Sequence, residues 1–434
     1  MENLAKYKLG YIAYIIGGVA YNPADICDNG IRILRGGNIQ NKAIVTKSDD
    51  VFLPLEYSNG ENQIQVGDTI LVASTGSVEV LGKAATCFSD LPNTQIGAFI
   101  RIVRPKRPEY AMLISIALTS DYFARYIKAQ AKGTSINNIT IGYLKDFNIM
   151  CPHSFEPICS LYSKIEAKIA LNREINRNLE AMARQLYDYW FVQFDFPDSD
   201  GKPYKSSGGK MVYNPILKRV IPDGWTYTKI KNILDKYPST KRFETSEYQT
   251  NGKYPIIDQG ENYIVGFTNE ADSILNKYPA ILFGDHSTRV KLLCFPFGRG
   301  ADGTQILYSN HPNISIWHLY LAILTLEIPN PGYSRHFKYL KELPIVIPPL
   351  SLAKEFAQKI ESIYNDWTNR IFENIVLSRQ RDELLPLLMN GQVSVMQREV
   401  NCDFSFMYRP VESSCRMIRR TGADGEGRYV ANNA

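Results

Sequence analysis

The spacing of apolar residues along the chain changes period twice, and those changes divide it. Up to Pro152, short β-branched and aromatic runs such as Ile70–Ser74, Phe99–Val103 and Phe147–Met150 are bounded by Gly, Pro, Asn and Asp. That is the pattern of strands in a curled sheet. One helix is predicted among them, over residues 111–130. After Pro152 the period lengthens. Leu161, Ile165, Lys168, Asn172, Ile175, Leu179, Met182, Leu186 and Tyr189 recur at alternating steps of four and three, a heptad seam interrupted by polar positions. From Pro157 to Trp190 no further Pro and no Gly occurs, which predicts a helix of about 50 Å.

The same succession then returns. Strand-like runs at residues 280–284, 292–297 and 344–347 surround a shorter helix over 317–326. After Pro349 a second seam follows through Phe356, Ile360, Ile363, Trp367, Arg370, Asn374, Leu377, Arg381 and Leu384. Segment for segment, residues 31–39, 68–76, 93–96 and 143–152 match residues 254–262, 279–287, 303–306 and 339–349 in the same order. Ile33 thus answers to Ile256, Ile70 to Ile281, Gln95 to Gln305 and Tyr143 to Tyr339. The predicted fold class is α+β, a pseudo-two-fold repeat of two similar globular domains joined by two long helices that form an antiparallel coiled coil. The boundaries are a first globular domain at 1–151, its long helix at 152–196, a linker and second globular domain at 197–348, and the second helix at 349–395. The tail at 396–434 has no hydrophobic period and reads as poorly ordered.

Composition narrows the function classes. With 434 residues and 44% hydrophobic positions, the chain can build two or three cores. A net charge of +5 permits an anionic partner without requiring one. No apolar run reaches the roughly 20 residues of a membrane span, and the start lacks a basic signal-peptide region, so the expected location is cytoplasmic, with no membrane partner. Seven scattered cysteines without a C-x-x-C indicate neither a disulfide framework nor a zinc ribbon. None of the Gly-Lys pairs is followed by Ser or Thr, which excludes a P-loop. The five histidines lack metal-hydrolase spacing, so no metal site is expected. Two partial motifs invite an alternative, a stand-alone DNA-modifying methyltransferase or nuclease. Residues 297–300 with 330–333 loosely resemble a methyltransferase glycine loop and Asn-Pro-Pro-aromatic motif, but the second proline and the βαβ rhythm are missing. Asp200 and Lys202 have nuclease form, but lie in a turn-rich stretch. A third reading is a peptide-binding module with repeated units.

What remains is a set of donor-rich loops at matching places in both units. The first unit offers Ser74, Thr75, Ser77, Gln95, Lys132, Thr134, Ser135, Asn137 and Asn138. The second offers His286, Ser287, Thr288, Arg289, Arg299, Gln305, Tyr333, Ser334, Arg335 and His336. Arg suits guanine edges, Asn and Gln suit adenine edges, and hydroxyls suit phosphates. Two such readers on a rigid bar would recognise a split DNA target.

Residues 5–395 resemble the specificity subunits of type I restriction-modification enzymes. The resemblance is carried most specifically by residues 66–85, 133–152, 279–307, 339–360 and 378–393. It implies that each globular unit is a target recognition domain reading half of a bipartite, asymmetric sequence in double-stranded DNA, and that the coiled coil is a ruler for the unread spacer. It further implies a host-defence subunit with no catalytic residues and no cofactor of its own. Two methyltransferase subunits would dock on it, and restriction (translocase) subunits through them. S-adenosylmethionine, ATP and Mg would belong to those partners. The Glu-Gln pair common at the start of the family's long helices is absent here. With domains leaning inward along a bar of about 50 Å, half-sites about one helical turn apart are expected.

Overall fold

Each half of the chain closes on itself by pairing its first strand with its last. The computed structural model describes residues 4–395 apart from 41, 48, 78, 131–136, 236, 238, 239, 301, 302 and 330–334. In the first half β1 (Leu4–Lys8) runs antiparallel to the strand at Asn148–Pro152. Between them follow α1 (Leu9–Ile12), β2 (Ala13–Gly17), β3 (Ile31–Leu34), β4 (Ile39–Gln40), β5 (Ala43–Ile44), β6 (Val51–Leu53) and β7 (Thr69–Val72). The chain continues through β8 (Ser74–Thr75), β9 (Ala84–Thr86), β10 (Thr94–Ile96), β11 (Ile100–Pro105), α2 (Glu109–Leu118), α3 (Asp121–Gln130), β12 (Asn137–Asn138) and α4 (Ile141–Asp146) to β13, the closing strand. Two small sheets, ordered β2-β11-β7-β9 and β10-β3-β6, curl around a core that includes Leu34, Ile70, Ile96 and Ile102. The single helix predicted over 111–130 is two helices. Thr119 and Ser120 turn their hydroxyls back on the carbonyls of Ser115 and Ala117, and the Ser120 hydroxyl then accepts from Phe123 N, so the break is capped on both sides.

The first long helix, α5 (Glu156–Tyr187), ends in a π-helical turn at Asp188–Val192. A hairpin, β14 (Met211–Asn214) and β15 (Arg219–Pro222), leads into the second unit. There β16 (Thr226–Lys229) is followed by β17 (Arg242–Phe243), β18 (Tyr254–Ile257), β19 (Gly266–Thr268), β20 (Ile274–Leu275), β21 (Ala280–Gly284), β22 (Val290–Leu293), β23 (Phe297–Gly300) and β24 (Thr304–Leu307). Then come α6 (Ile316–Thr325), α7 (Phe337–Glu342), β25 (Pro344–Ile347) and the second long helix, α8 (Leu350–Met389). β16 closes against β25 as β1 does against β13. The closure carries matching ion pairs: Lys8 with Asp146 in the first unit, and Lys229 and Lys231 with Glu342 in the second. Hydrogen bonds from Lys231 and Lys229 hold the Glu342 carboxyl down at about 2.

Strand pairing corrects one of the sequence equivalences. β10, which carries Gln95, lies parallel to β3, with Gln95 opposite Ile33. The strand parallel to β18 is β23, with Gly298 opposite Ile256. Gln305 sits instead on β24, antiparallel to β21, where the first unit has β11 against β7. The shared Thr-Gln-Ile is therefore a local likeness, and Gly298 is the structural partner of Gln95.

At 1.5 Å per residue α5 is about 48 Å long and α8 about 60 Å. Their mutual contacts run in opposite senses: Glu166 meets Arg381, Asn172 meets Glu373 and Asn374, and Asn176 meets Trp367. The helices are thus antiparallel. Near the start of α5, Ile158 and Tyr162 pack with Ile116 of α2 and with Leu385 and Leu388 from the end of α8. At the other end, Ala183, Tyr187, Trp190 and Phe191 join Phe356, Ile360, Tyr364 and Trp367 in the second unit's core. Between these apolar ends lies a polar layer. Asn172 is fully buried and donates to Glu373 at 2.8 Å and Asn374 at 2.9 Å, and Arg381 meets Glu166 at 2.5 Å.

The face that α5 buries keeps Asn172 of the predicted seam but otherwise falls one residue to its side. Ile158, Tyr162, Ile169, Asn172, Asn176, Ala183 and Tyr187 are buried, whereas Leu161, Ile165, Ile175, Leu179 and Leu186 are half-buried and Met182 is exposed. The helix must serve the first unit, α8 and the second unit in turn, so one straight heptad stripe does not describe its contacts. On α8, Phe356, Ile360 and Trp367 are buried, Ile363 and Leu377 are half-buried, and Leu384 is exposed beside the buried Leu385.

Two predictions follow from this packing. Arg381→Ala would strand Glu166 at a site where both side chains are about a tenth exposed, at a cost of about 3–5 kcal/mol in urea unfolding. The double change Glu166→Leu/Arg381→Met should cost far less. His318 on α6 is buried among the rings of Tyr187, Phe191 and Phe356, and burial pushes its pKa down to about 3. Below its ordinary 6.5 the unfolded imidazole takes up a proton that the folded one refuses, so stability falls as pH drops through that window. Unfolding at pH 5.5 should show this residue costing about 1.4 kcal/mol relative to pH well above 6.5, and His318→Phe should remove that share.

Candidate nucleic-acid interface

In the second unit the candidate loops converge on a residue outside the predicted set. Asp285 follows the fully apolar strand β21 and is 3% exposed. A buried carboxylate must have its oxygens satisfied. One oxygen accepts from Phe337 N at 2.8 Å, at the start of α7, and the other from Gln305 Nε2 at 3.5 Å. Its backbone donates to Gly303 O and accepts from His336 N. One side chain and its peptide groups therefore tie together the turn at 285–289, the start of β24 and the lead into α7. The signal in sequence is the carboxylate that ends the apolar run Ala280–Gly284, where burial demands partners.

The turn itself is held by Ser287, whose hydroxyl donates to Gln259 O at 2.9 Å. Thr288 adopts φ 54° there, the left-handed region. The result is a presented tip: His286 and Arg289 are exposed, Ser287, Thr288 and Gln305 are half-buried, and Arg335 is exposed across the Asp285 knot. Arg289 and Arg335 come from separate segments yet stand at one end of the sheet.

Two second-unit candidates are interior residues. Arg299 is 3% exposed; its Nε donates to Thr304 Oγ1 at 2.9 Å and its guanidinium lies over the Tyr237 ring. His336 is also 3% exposed, with Nδ1 against Pro329 O. Both hold loops together and are not presented to a partner. Tyr333 and Ser334, like Asn330, lie outside the described residues.

The first unit repeats the arrangement with different chemistry. Where β7 ends, Ala73 O accepts from Ile139 N at 2.7 Å, one residue earlier on both segments than the bond from His336 N to Asp285 O. β8 then pairs with β12, setting Thr75 opposite Asn137 and Ser74 opposite Asn138. Thr140 caps α4 by accepting from Tyr143 N, the task that the Asp285 side chain performs for α7. Ser77 and Asn138 are exposed, and Ser74 and Thr75 half-buried. Gln95 is a correction: it is fully buried, with Nε2 donating to Asn59 O, and cannot touch a groove. Lys132, Thr134 and Ser135 lie outside the described residues, as does the side chain of Asn137.

The nuclease-like Asp200 and Lys202 form an ordinary turn, their backbone N–H groups both donating to the Asp198 side chain. Among the described residues, no group of three or more His, Cys, Asp or Glu is placed to hold a metal, and no helix is long and apolar enough to cross a membrane.

No protein-family model matches the chain. Among characterised proteins, the specificity subunit of the type I restriction enzyme MjaIX from Methanocaldococcus jannaschii is 24% identical over 353 residues, covering 75% of this chain and 78% of that protein. The specificity subunit of EcoKI from Escherichia coli is 29% identical over 146 residues, 32% of this chain and 31% of its own length. Among solved structures, the S subunit of a type I restriction-modification system from M. genitalium aligns with a TM-score of 0.51 at 16% identity, covering 89% of this chain and 96% of that one. This last likeness speaks for the fold, and the first reaches across both halves of the repeat. In sequence and in fold, the chain is similar to the specificity subunits of type I restriction enzymes.

Proposed function

We propose that this chain is the sequence-specific DNA-recognition subunit of a type I restriction-modification complex and has no catalytic centre of its own. Each globular unit reads one half of a bipartite, asymmetric target in double-stranded DNA, and the antiparallel α5–α8 pair, acting as a coiled-coil ruler, fixes the spacer. The observation that carries the reading is the duplication of the loop cluster. In each unit the segment after the central strand is hydrogen-bonded to the segment entering a short helix, and the two units are joined by helices that belong to both cores. In this reading Ser74, Thr75, Ser77, Asn137 and Asn138 serve one half-site. His286, Ser287, Thr288, Arg289, Gln305 and Arg335 serve the other, with Asp285 as their positioning residue. Two methyltransferase subunits dock on the chain and restriction subunits join through them. S-adenosylmethionine, ATP and Mg act on those partners, in the cytoplasm. A near-neutral chain suits this role, because the partners supply further phosphate contacts.

The reading is tested by binding to double-stranded DNA across a salt series. Arg289→Ala and Arg335→Ala should each weaken binding. A residue that contacts phosphate should lower the salt slope by about one, and one that contacts a base should relax a single target position. Arg299→Ala should lower stability first, since it removes an interior contact. Matched seven-residue deletions in α5 and α8, placed to keep the Asn172 layer paired, should shift the preferred spacer and leave both half-site sequences unchanged. Magnesium-dependent cleavage or S-adenosylmethionine binding by the purified chain alone would overturn the proposal in favour of a stand-alone enzyme.

A further inference from the structure

The long helices are not the sole connection between the two units. Lys47, on the loop that follows β5 in the first unit, meets Glu261 of the second unit at 2.9 Å. The hydrogen bond from Lys47 lowers the pKa of the Glu261 carboxyl. Five residues earlier, in the turn between β4 and β5, Lys42 meets Asp382 of α8 at 2.7 Å. The β4–β5 hairpin and the loop that follows it therefore touch both the second unit and the end of the helix pair nearest their own core.

Both sides of this contact are built to hold still. On the first unit's side, buried Asn38 donates to Val45 O and to Asp50 at 2.6 Å, while the other Asp50 oxygen accepts from Lys47 N at 2.9 Å. On the second unit's side, Lys291 is 7% exposed and donates to the carbonyls of Asp258 at 2.8 Å and Asn262 at 2.5 Å, on either side of Glu261. The next residue, Tyr263, hydrogen-bonds Leu292 O and sets its ring edge-on to Trp367 of α8 at 5.1 Å. The Trp367 carbonyl in turn accepts from Asn176 of α5. Glu261 is thus fixed to the helix pair through one path and Lys47 through another, and the ion pair closes the triangle.

A pair of helices joined through a polar layer resists stretching better than bending. A triangle resists both. We propose that Lys47 and Glu261 form a cross-unit brace that fixes the separation and tilt of the two globular units, so that these residues set spacer discrimination along with helix length. The consequence for the spacer rests on the DNA-reading role proposed above; the brace itself does not. Lys47 and Glu261 are 21% and 47% exposed, and pairs exposed to this degree hold modestly. Losing it should shift the equilibrium between close and separated units by a few-fold and leave each unit folded.

The test uses the full chain with fluorophores incorporated at exposed Glu56 and Asp272, read by single-molecule energy transfer. The charge reversals Lys47→Glu and Glu261→Lys should each raise the separated population roughly two- to fivefold, and the double exchange should restore the narrow distribution. Unchanged distributions in the single variants, or a double variant as broad as the singles, would overturn the brace. On random-sequence duplexes of fixed length the same variants report on the other claim. A chain whose distribution responds as described but which binds no duplex DNA supports the brace and refutes the DNA-reading role.

Discussion

The antiparallel contact between α5 and α8 is the constraint on which the rest of the molecule depends. Neither helix is a simple appendage of one unit, because each begins in one core and ends in the other. Apolar burial at the two ends supplies the attraction, but it is nearly indifferent to sliding. The register comes from the polar layer between. Asn172 can satisfy its amide N–H groups only opposite Glu373 and Asn374, and Glu166 can shed the cost of burial only beside Arg381. A shift by one turn would leave buried polar groups without partners, which is how a polar position fixes the register of a helix pair. The positions of both loop clusters follow from that register.

Upon this frame the units present similar loops with different surfaces. The backbone arrangement is common to both: a central strand whose end is tied to the approach of a short helix. What caps that helix differs, Thr140 in one and Asp285 in the other. So do the exposed side chains: hydroxyls and an amide in the first unit, an imidazole and two guanidinium groups in the second. A shared scaffold with divergent tips is what two independent half-site readers require, since positioning and base choice are carried by different atoms.

Much of this was legible in the sequence, for physical reasons that also explain the rest. The repeat, the strand-rich units and the long helices follow from periodicity, which burial enforces over many residues. On α5 only Asn172 of the expected seam is fully buried and the rest of the buried face falls one residue to its side, because Tyr162, Asn172 and Tyr187 face three different neighbours and a heptad assumes one. The break at Thr119 and Ser120 was missed since apolar spacing continues through it while hydroxyl capping ends the helix. Single-residue roles were least legible. Gln95, Arg299 and His336 have the donors of a base reader, yet the same donors satisfy buried carbonyls and hydroxyls of their own loops. Asp285 has no donor to offer and so escaped a search for readers, although it sets their places.

In the proposed role one rigid chain holds two different readers at a fixed distance along DNA. Its most direct measurement is a genome-wide map of adenine methylation in a host carrying this chain and its partner subunits, compared with the same host lacking this gene alone. The proposed role requires a two-part asymmetric motif, with half-sites about one helical turn apart and an unread spacer of constant length, that disappears with the gene. A continuous or palindromic motif, a spacer of variable length, or methylation unaffected by the loss would contradict it.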